Sequence, residues 1–416
     1  MAAHGEHQST APRTTLSRFG EPRGLLIGGI AAGVAGVMAD LLSAIYATSL
    51  HKGFGLSSTQ AGFLVTAALG MMAVSEFGLA HSIGRRNLKH VTTWGVGLSC
   101  VALLYISEVS DNGFWSLFVG MAVLGLGCGL SFVAGNAALS HAGNSERAFG
   151  LLTFWYMIFV FVMMSTNPVL RQMYPIVLPY AAMVAVQLLC LALVWWKLPD
   201  TRVLATQRTA TDPMDTDATG GGTGTAALAL FSPLPLLLGL AVTVSQLAVA
   251  GLWTFAQELG GTAGLSSQTT STFLGVSQLI GLLGALAPWL LGRLLGRAVL
   301  GAVGFLLAAV GILLVGLVHT PAGYIAGNLA VNLGYWVTLP LALSVASDLD
   351  REGGRLLAFM LGMSSVGLAF GPSLAGPLLG GADTTLGGWI FGLLGLAAVP
   401  LIIAPAVAAD RAVPPR

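Results

Sequence analysis

The sequence predicts an all-α integral membrane protein with twelve transmembrane helices in two pseudo-symmetric six-helix bundles. Three observations lead there. Of its 416 residues, 55% are hydrophobic and only 8% are charged, against roughly 25% charged in soluble domains. Twelve apolar runs each approach the ~20 residues that a bilayer's hydrocarbon core demands. The chain also repeats a stretch of itself half a length later, the mark of a duplicated architecture. Gly55-Leu56-Ser57-Ser58 returns as Gly264-Leu265-Ser266-Ser267. Further on, Phe77 pairs with Trp289, Leu79 with Leu291, Ile83 with Leu295, Gly84 with Gly296, Arg85 with Arg297 and Leu88 with Leu300. The second copy is longer by three residues between its ends.

Taken in order, residues 1–23 are polar and rich in Ser, Thr, His and Pro, a cytoplasmic tail that cannot bury a core. The first apolar run, Leu25 to Leu50, is too long for a signal peptide and continues into a multi-span pattern. The expected spans are 25–50, 56–80, 91–109, 114–139, 149–170, 174–196, 229–257, 270–295, 298–318, 322–346, 355–379 and 387–409. Arg293 and Arg297 mark the tight turn between spans eight and nine, and Pro175 marks the one between five and six. Residues 197–228 include ATDPMDTDATGGGTGT, a polar Gly/Thr-rich linker. The expected domains are therefore an N-terminal bundle over 24–196, the linker, a C-terminal bundle over 229–409 and a tail over 410–416.

Threading the spans with the N-terminus inside places sixteen of the 18 Lys and Arg on one side, leaving Lys52 and Arg171 on the other. Cytoplasmic loops carry such an excess, so both termini are expected in the cytoplasm, with the protein in the plasma or inner membrane of a bacterial cell. The 56 glycines suit helices that pack closely in lipid. Cys100, Cys128 and Cys190 all fall in apolar runs without CxxC spacing and read as small buried hydrophobes, not as a disulfide or metal framework.

Six plus six spans, a polar linker and a Gly-Arg-Arg turn after span two resemble the major facilitator superfamily, over Leu25 to about Ala409. That family's signature after span two is approximately G-x-L-a-D-r-x-G-R-[RK]. Leu79, Ala80, Gly84, Arg85 and Arg86 match it, while Phe77 stands at the first Gly and His81 at the Asp. The counterpart after span eight keeps Leu291, Gly292, Gly296 and Arg297, with Arg293 at the acidic position. In the family this loop pairs charges between helices and steadies one conformation of the gating cycle. With the Asp missing, Glu76 is the candidate substitute; the plainer alternative is an acid that snorkels or pairs with a nearby Arg.

Span four keeps Gly125, Gly127 and Gly129 of the family pattern R-x-x-x-G-x-G-x-G, but Met121 occupies the Arg position, so that Arg's proton-relay role does not carry over. Span eleven holds Gly367, Gly371, Pro372 and Gly376. They resemble a gly-pro helix motif that marks drug antiporters when it lies in span five, where this chain offers only Asn167-Pro168. Read from the residues alone, glycines at four-residue spacing allow close helix contact and Pro372 kinks its helix. Glu146 and Asp350, near the starts of spans five and eleven, read as caps and latch parts favoured by the helix dipole.

The resemblance implies alternating access, in which two halves rock about a site near the midplane lined by spans one, four, seven and ten. Asp40 lies about 24 Å into span one at 1.5 Å per residue. Gly29, Gly33, Gly36, Asp40 and Ser43 share one helical face by their spacing. A charged side chain at that depth costs about 2.5–3.5 kcal/mol, and burial disfavours the charged form. Asp40 is thus the candidate for proton coupling or for recognising a cation, with an interhelical hydrogen bond as the structural alternative. The cavity candidates are Gln246, Trp253 and Gln257 of span seven, Asn328, Asn332, Tyr335 and Trp336 of span ten, and Asn136 of span four. Amides and aromatics of this kind suit a small organic solute, although each alone also fits an interhelical hydrogen bond. Trp253 in addition fits an interfacial belt aromatic, and Glu258 an exposed or gate-lining acid at the same edge. The cavity spans carry no Lys, Arg or mid-membrane His, which favours neutral or cationic solutes.

Other classes find less support. None of Lys52, Lys89 and Lys197 is followed by Ser or Thr, so no phosphate-binding loop exists for an ATP-driven pump. All seven His lie at loops or span ends, away from any membrane-embedded catalytic pair. The expected protein is a monomeric secondary active transporter, not an enzyme, with protons, a small solute and the lipid bilayer as partners and with no cofactor, metal or nucleic acid. The alternative is a transport-inactive membrane sensor or scaffold with the same fold.

Overall fold

The computed structural model describes residues 22–80, 82–83, 86–108, 113–140, 145–199, 232–349, 355–380 and 383–412. The expected N-terminal tail, most of the linker, His81, Gly84, Arg85 and Asp350 lie outside the described residues, as do the side chains of Glu146, Trp289 and Arg293.

Among the described residues, eleven helices are long and apolar enough to cross a membrane. In chain order they are α2 (Ser58–Ala80), α3 (Leu88–Glu108), α4 (Phe114–Ser140), α5 (Ser145–Met173), α6 (Val177–Lys197), α7 (Pro233–Thr254, continuing as Ala256–Thr262), α8 (Ser267–Leu295), α9 (Arg297–Leu317), α10 (Pro321–Leu349), α11 (Arg355–Leu379) and α12 (Thr385–Ala412). The remaining one, α1, precedes them. It is not the unbroken helix expected over 25–50. It runs as Pro22–Gly36, Met38–Leu41 and Ser43–Thr48, then widens into a π turn over Ser49–Gly53. The breaks are local tightenings: Asp40 N bonds Val37 O and Ile45 N bonds Leu42 O, each one residue short of the α-helical register. α7 breaks in the same manner. Phe255 (φ −104°, ψ 13°) nearly reproduces Leu42 (φ −99°, ψ 12°). Several helices outrun their expected ends, α5 by four residues at its start and α10 by three at its close, because polar turns beyond an apolar run can still complete helical hydrogen bonds.

The repeated turns fold alike. Gly55 and Gly264 both take positive φ, 69° and 84°, which a residue with a Cβ rarely adopts. Two residues later Ser57 and Ser266 each cap a helix, their hydroxyls accepting from Gln60 N (3.2 Å) and Thr269 N (3.1 Å).

Packing obeys the same duplication. α2 lies on α4, and α3 on α4 and α6; correspondingly, α8 lies on α10, and α9 on α10 and α12. α1 packs on α6 as α7 packs on α12. Between the halves α2 meets α11 and α5 meets α8, a pair of contacts that exchanging the halves maps onto itself. Small residues make these approaches close: a methyl on Gly125 would collide with the Ala68 backbone, and one on Gly127 with Gly95 O. Met121 is fully buried, and Cys100, Cys128 and Cys190 are free and buried.

One end of the bundle carries Arg86, Lys89, Lys197, Arg297 and Arg411 and is called the basic end below; Lys52 and Arg171 mark the far end. At the basic end Lys89 and Lys197 stand over the Trp195 and Trp196 rings, at 5.7 and 3.8 Å from their centroids, as cations and amphipathic rings do at a membrane surface. The whole is a multi-pass membrane protein of twelve helices in two pseudo-symmetric six-helix bundles.

Candidate functional site

A narrow cavity lies between the halves, with about 480 Å³ of empty space counting its open mouth. The N-terminal half contributes Asp40 and Leu41 from the interrupted stretch of α1. The other half supplies the polar wall: Gln246 and Trp253 of α7, Gln278 of α8, and Asn332, Tyr335 and Trp336 of α10. Gln246 and Trp253 reach it because residues seven apart on a helix share a face.

The wall is held by bonds between helices. Asn332 Nδ2 donates to Ser277 Oγ (3.2 Å), Trp336 Nε1 to Gln278 Oε1 (3.2 Å) and Gln246 Nε2 to Ser364 Oγ of α11 (2.8 Å). Gln246 Oε1 makes no hydrogen bond of ordinary geometry, although the Tyr335 hydroxyl stands beside the amide. Gln278 escaped sequence reasoning because span eight was not among the expected cavity helices. An amide in mid-span is itself the signal that could have found it.

Three candidates fall elsewhere. Asn136 sits four residues from the end of α4 and is outside the cavity wall. Asn328 is buried one turn from the cavity and donates to Tyr324 O (3.0 Å). Gln257 lies beyond the Phe255 break, which shifts the helical phase, and its Nε2 approaches Met164 Sδ of α5 at 3.8 Å. The interrupted α1 also divides its expected common face. Gly29, Gly33 and Gly36 abut Leu139, Leu152 and Phe132, whereas Asp40 turns to the cavity.

The cavity is closed towards the far end. Trp253 is not a belt aromatic: its half-buried indole donates to Leu41 O across the halves at 3.2 Å. Beside it Thr254 Oγ1 and Ser43 Oγ stand 3.5 Å apart, and Ser58 Oγ donates to Gly380 O at 2.6 Å. Glu258 is not exposed either, since both its carboxylate oxygens are shielded from solvent.

At the basic end Glu76 Oε2 accepts from Ser365 Oγ at 2.8 Å, joining α2 to α11. One residue on, the Phe77 ring occupies the space of an absent Gly362 side chain, where a Cβ would lie 2.5 Å from two ring carbons. Arg86 is exposed at the bend after α2. After α8, Gly296 has φ 76°, and Arg297 approaches Asp410 of α12, N to Oδ2 at 3.1 Å and Nε to Oδ1 at 3.8 Å. This second loop thus ties helices of one half. The α11 glycines divide as well. Gly367 and Gly371 press on the α7 backbone, while Pro372 O and Gly376 face Gly62 and Ser58 of α2 in the other half.

The Major Facilitator Superfamily profile matches residues 27–372. No curated protein matches the chain. Among solved structures, the nucleoside transporter NupG superposes with a TM-score of 0.67 at 14% identity, covering 95% of this chain and 99% of that one. The D-xylose-proton symporter superposes at 0.66 with 15% identity, covering 91% and 95%. A mutant of the peptide transporter POT does so at 0.67 with 14% identity, covering 97% of each chain. At such identities the likeness is one of fold. With the profile spanning most of the chain and both halves, the protein belongs to the major facilitator superfamily.

Proposed function

We propose that this chain is a secondary active transporter, not an enzyme, which carries a small organic solute by alternating access and couples that movement to protons. The basic end faces the cytoplasm on this reading, and the bundles over 24–196 and 229–409 are the two moving halves. The observation that carries the proposal is Asp40, set by one half against a wall of amides and aromatics from the other. An acid within a membrane span, turned into a cavity between two rocking bodies, suits a group that takes up and releases a proton. Among the relatives in fold, the D-xylose-proton symporter is a proton-coupled carrier by its own description. The wall contributes no Lys or Arg, so the solute class favoured is neutral or cationic.

Reconstitution tests this. Proteoliposomes with and without an imposed proton gradient are screened against sugars, nucleosides, peptides and organic cations. Wild-type protein is expected to accumulate one class only with the gradient. Asp40→Asn should abolish that accumulation while leaving solute exchange at equal concentrations within about threefold of wild type. Unchanged accumulation and pH dependence in Asp40→Asn would rule out coupling through this residue. Absence of flux for every class would favour a non-transporting sensor.

A further inference from the structure

We propose that Glu258 is a second proton-binding site, set in the far-end seam between the halves and apart from Asp40, and that its protonation holds this seam shut. Glu258 follows the Phe255 break in α7. No hydrogen bond of ordinary geometry reaches either of its shielded oxygens, although the Thr48 hydroxyl stands beside them. Other buried groups towards the far end share that condition. Asn167 of α5, Gln257 of α7 and Thr270 and Ser271 of α8 are each at most 6% exposed, and each buries an oxygen without a partner, while the buried Ser49 hydroxyl stands beside that of Tyr180 as Thr48 stands beside Glu258. Thr270 packs directly on Gly260. Buried polar atoms are nearly always paired, because leaving them dry and unpaired is costly. A concentration of such atoms along one seam is the mark of a surface that water reaches when the halves part.

The groups facing Glu258 decide what it binds. Lys52 and His51 come from the end of α1, Arg171 from the end of α5 and the Tyr324 ring from α10. The Tyr324 hydroxyl is committed to Ala256 O at 2.7 Å. A metal cation added here would meet three basic side chains. A proton from the far-side solution instead converts the carboxylate to a neutral acid, which also gains a donor for the adjacent Thr48 oxygen. Loss of that proton restores a charge that a dry seam cannot hold, and separation of α1 from α7 would bring it water and the nearby cations.

The proposal rests on the reading of the halves as moving bodies, but its test needs neither a solute nor flux. In a background with Cys100, Cys128 and Cys190 replaced, Ser43→Cys places a thiol in the seam, where Ser43 is 2% exposed and its Oγ stands 3.5 Å from Thr254 Oγ1 of the other half. Labelling by a membrane-impermeant maleimide is measured from pH 5 to 8 and normalised to Gly261→Cys, an exposed position. Normalised labelling is expected to rise at least fivefold with pH, to stay low throughout in Glu258→Gln, and to rise as before in Asp40→Asn. If Glu258→Gln keeps the rise, or if Asp40→Asn alone abolishes it, the proposal is overturned. It is equally overturned if sodium at fixed pH closes the seam. Should Glu258→Gln fail to give a monodisperse protein, Glu258→Asp is used instead. A displaced pH midpoint then supports the site, and an unmoved one refutes it. A chain that transports nothing still gives this readout, and a negative result here leaves the role proposed for Asp40 untouched.

Discussion

Phe77 and Gly362 meet across the basic-end seam, ring against backbone, between α2 and α11. The family's signature has Gly where Phe77 stands, and the ring uses the room that Gly362 leaves on the opposite half. Glu76 adds one hydrogen bond to Ser365. A bond of this kind contributes about 0.5–1.5 kcal/mol, so Ser365→Ala is expected to raise thiol labelling at the basic end roughly two- to tenfold. Gly362→Val should do the same by displacing the ring, and Phe77→Ala should restore closure in that background. Spin-label distances across α2 and α11 would check both. At this scale the sequence was legible where periodicity decides: Gln246, Trp253, Asn332, Tyr335 and Trp336 share the faces that reach the cavity. It was not legible for Gln257, because the Phe255 break that turns it away leaves no trace in composition.

The two opening turns are the clearest units of helix-level design. Ser57 and Gln60 form a reciprocal capping box, since Ser57 N also donates to Gln60 Oε1 at 3.0 Å. Ser57→Ala is expected to cost about 0.5–2 kcal/mol, read as a lower unfolding temperature in detergent. Gly55→Ala and Gly264→Ala meet no atom within 4 Å, so their expected loss of about 1–2 kcal/mol each comes from the left-handed backbone alone. Helix number, order and duplication could be read from apolar run lengths and the repeated turns. The interruptions of α1 could not: Val37-Met38-Ala39-Asp40-Leu41-Leu42 contains neither Gly nor Pro. The break around Leu42 is supported by a partner some 212 residues away, Trp253, and local propensity carries no information about it.

Across the whole molecule, α2 with α11 and α5 with α8 form the broadest contacts between the halves, and on the alternating-access reading the two ends of these contacts would part in turn. A Ser58→Cys/Gly380→Cys disulfide should pin the far end closed and abolish net flux, with solute binding from the basic end retained; reduction should recover flux. The tightened turn in α1 bears on how little such a movement need cost. Because Ile45 N reaches Leu42 O, the Leu41 carbonyl is released from the helix ladder, and the Trp253 indole takes it. When the halves separate, that carbonyl loses the indole, but Ile45 N lies one residue out of register and can return to it. On the alternating-access reading, the helix would mend itself as the gate opens. The Leu41 carbonyl would then exchange one donor for another and never go unpaired, leaving only the Trp253 indole to find a new acceptor, so a modest shift in solute or proton binding would choose between the two conformations.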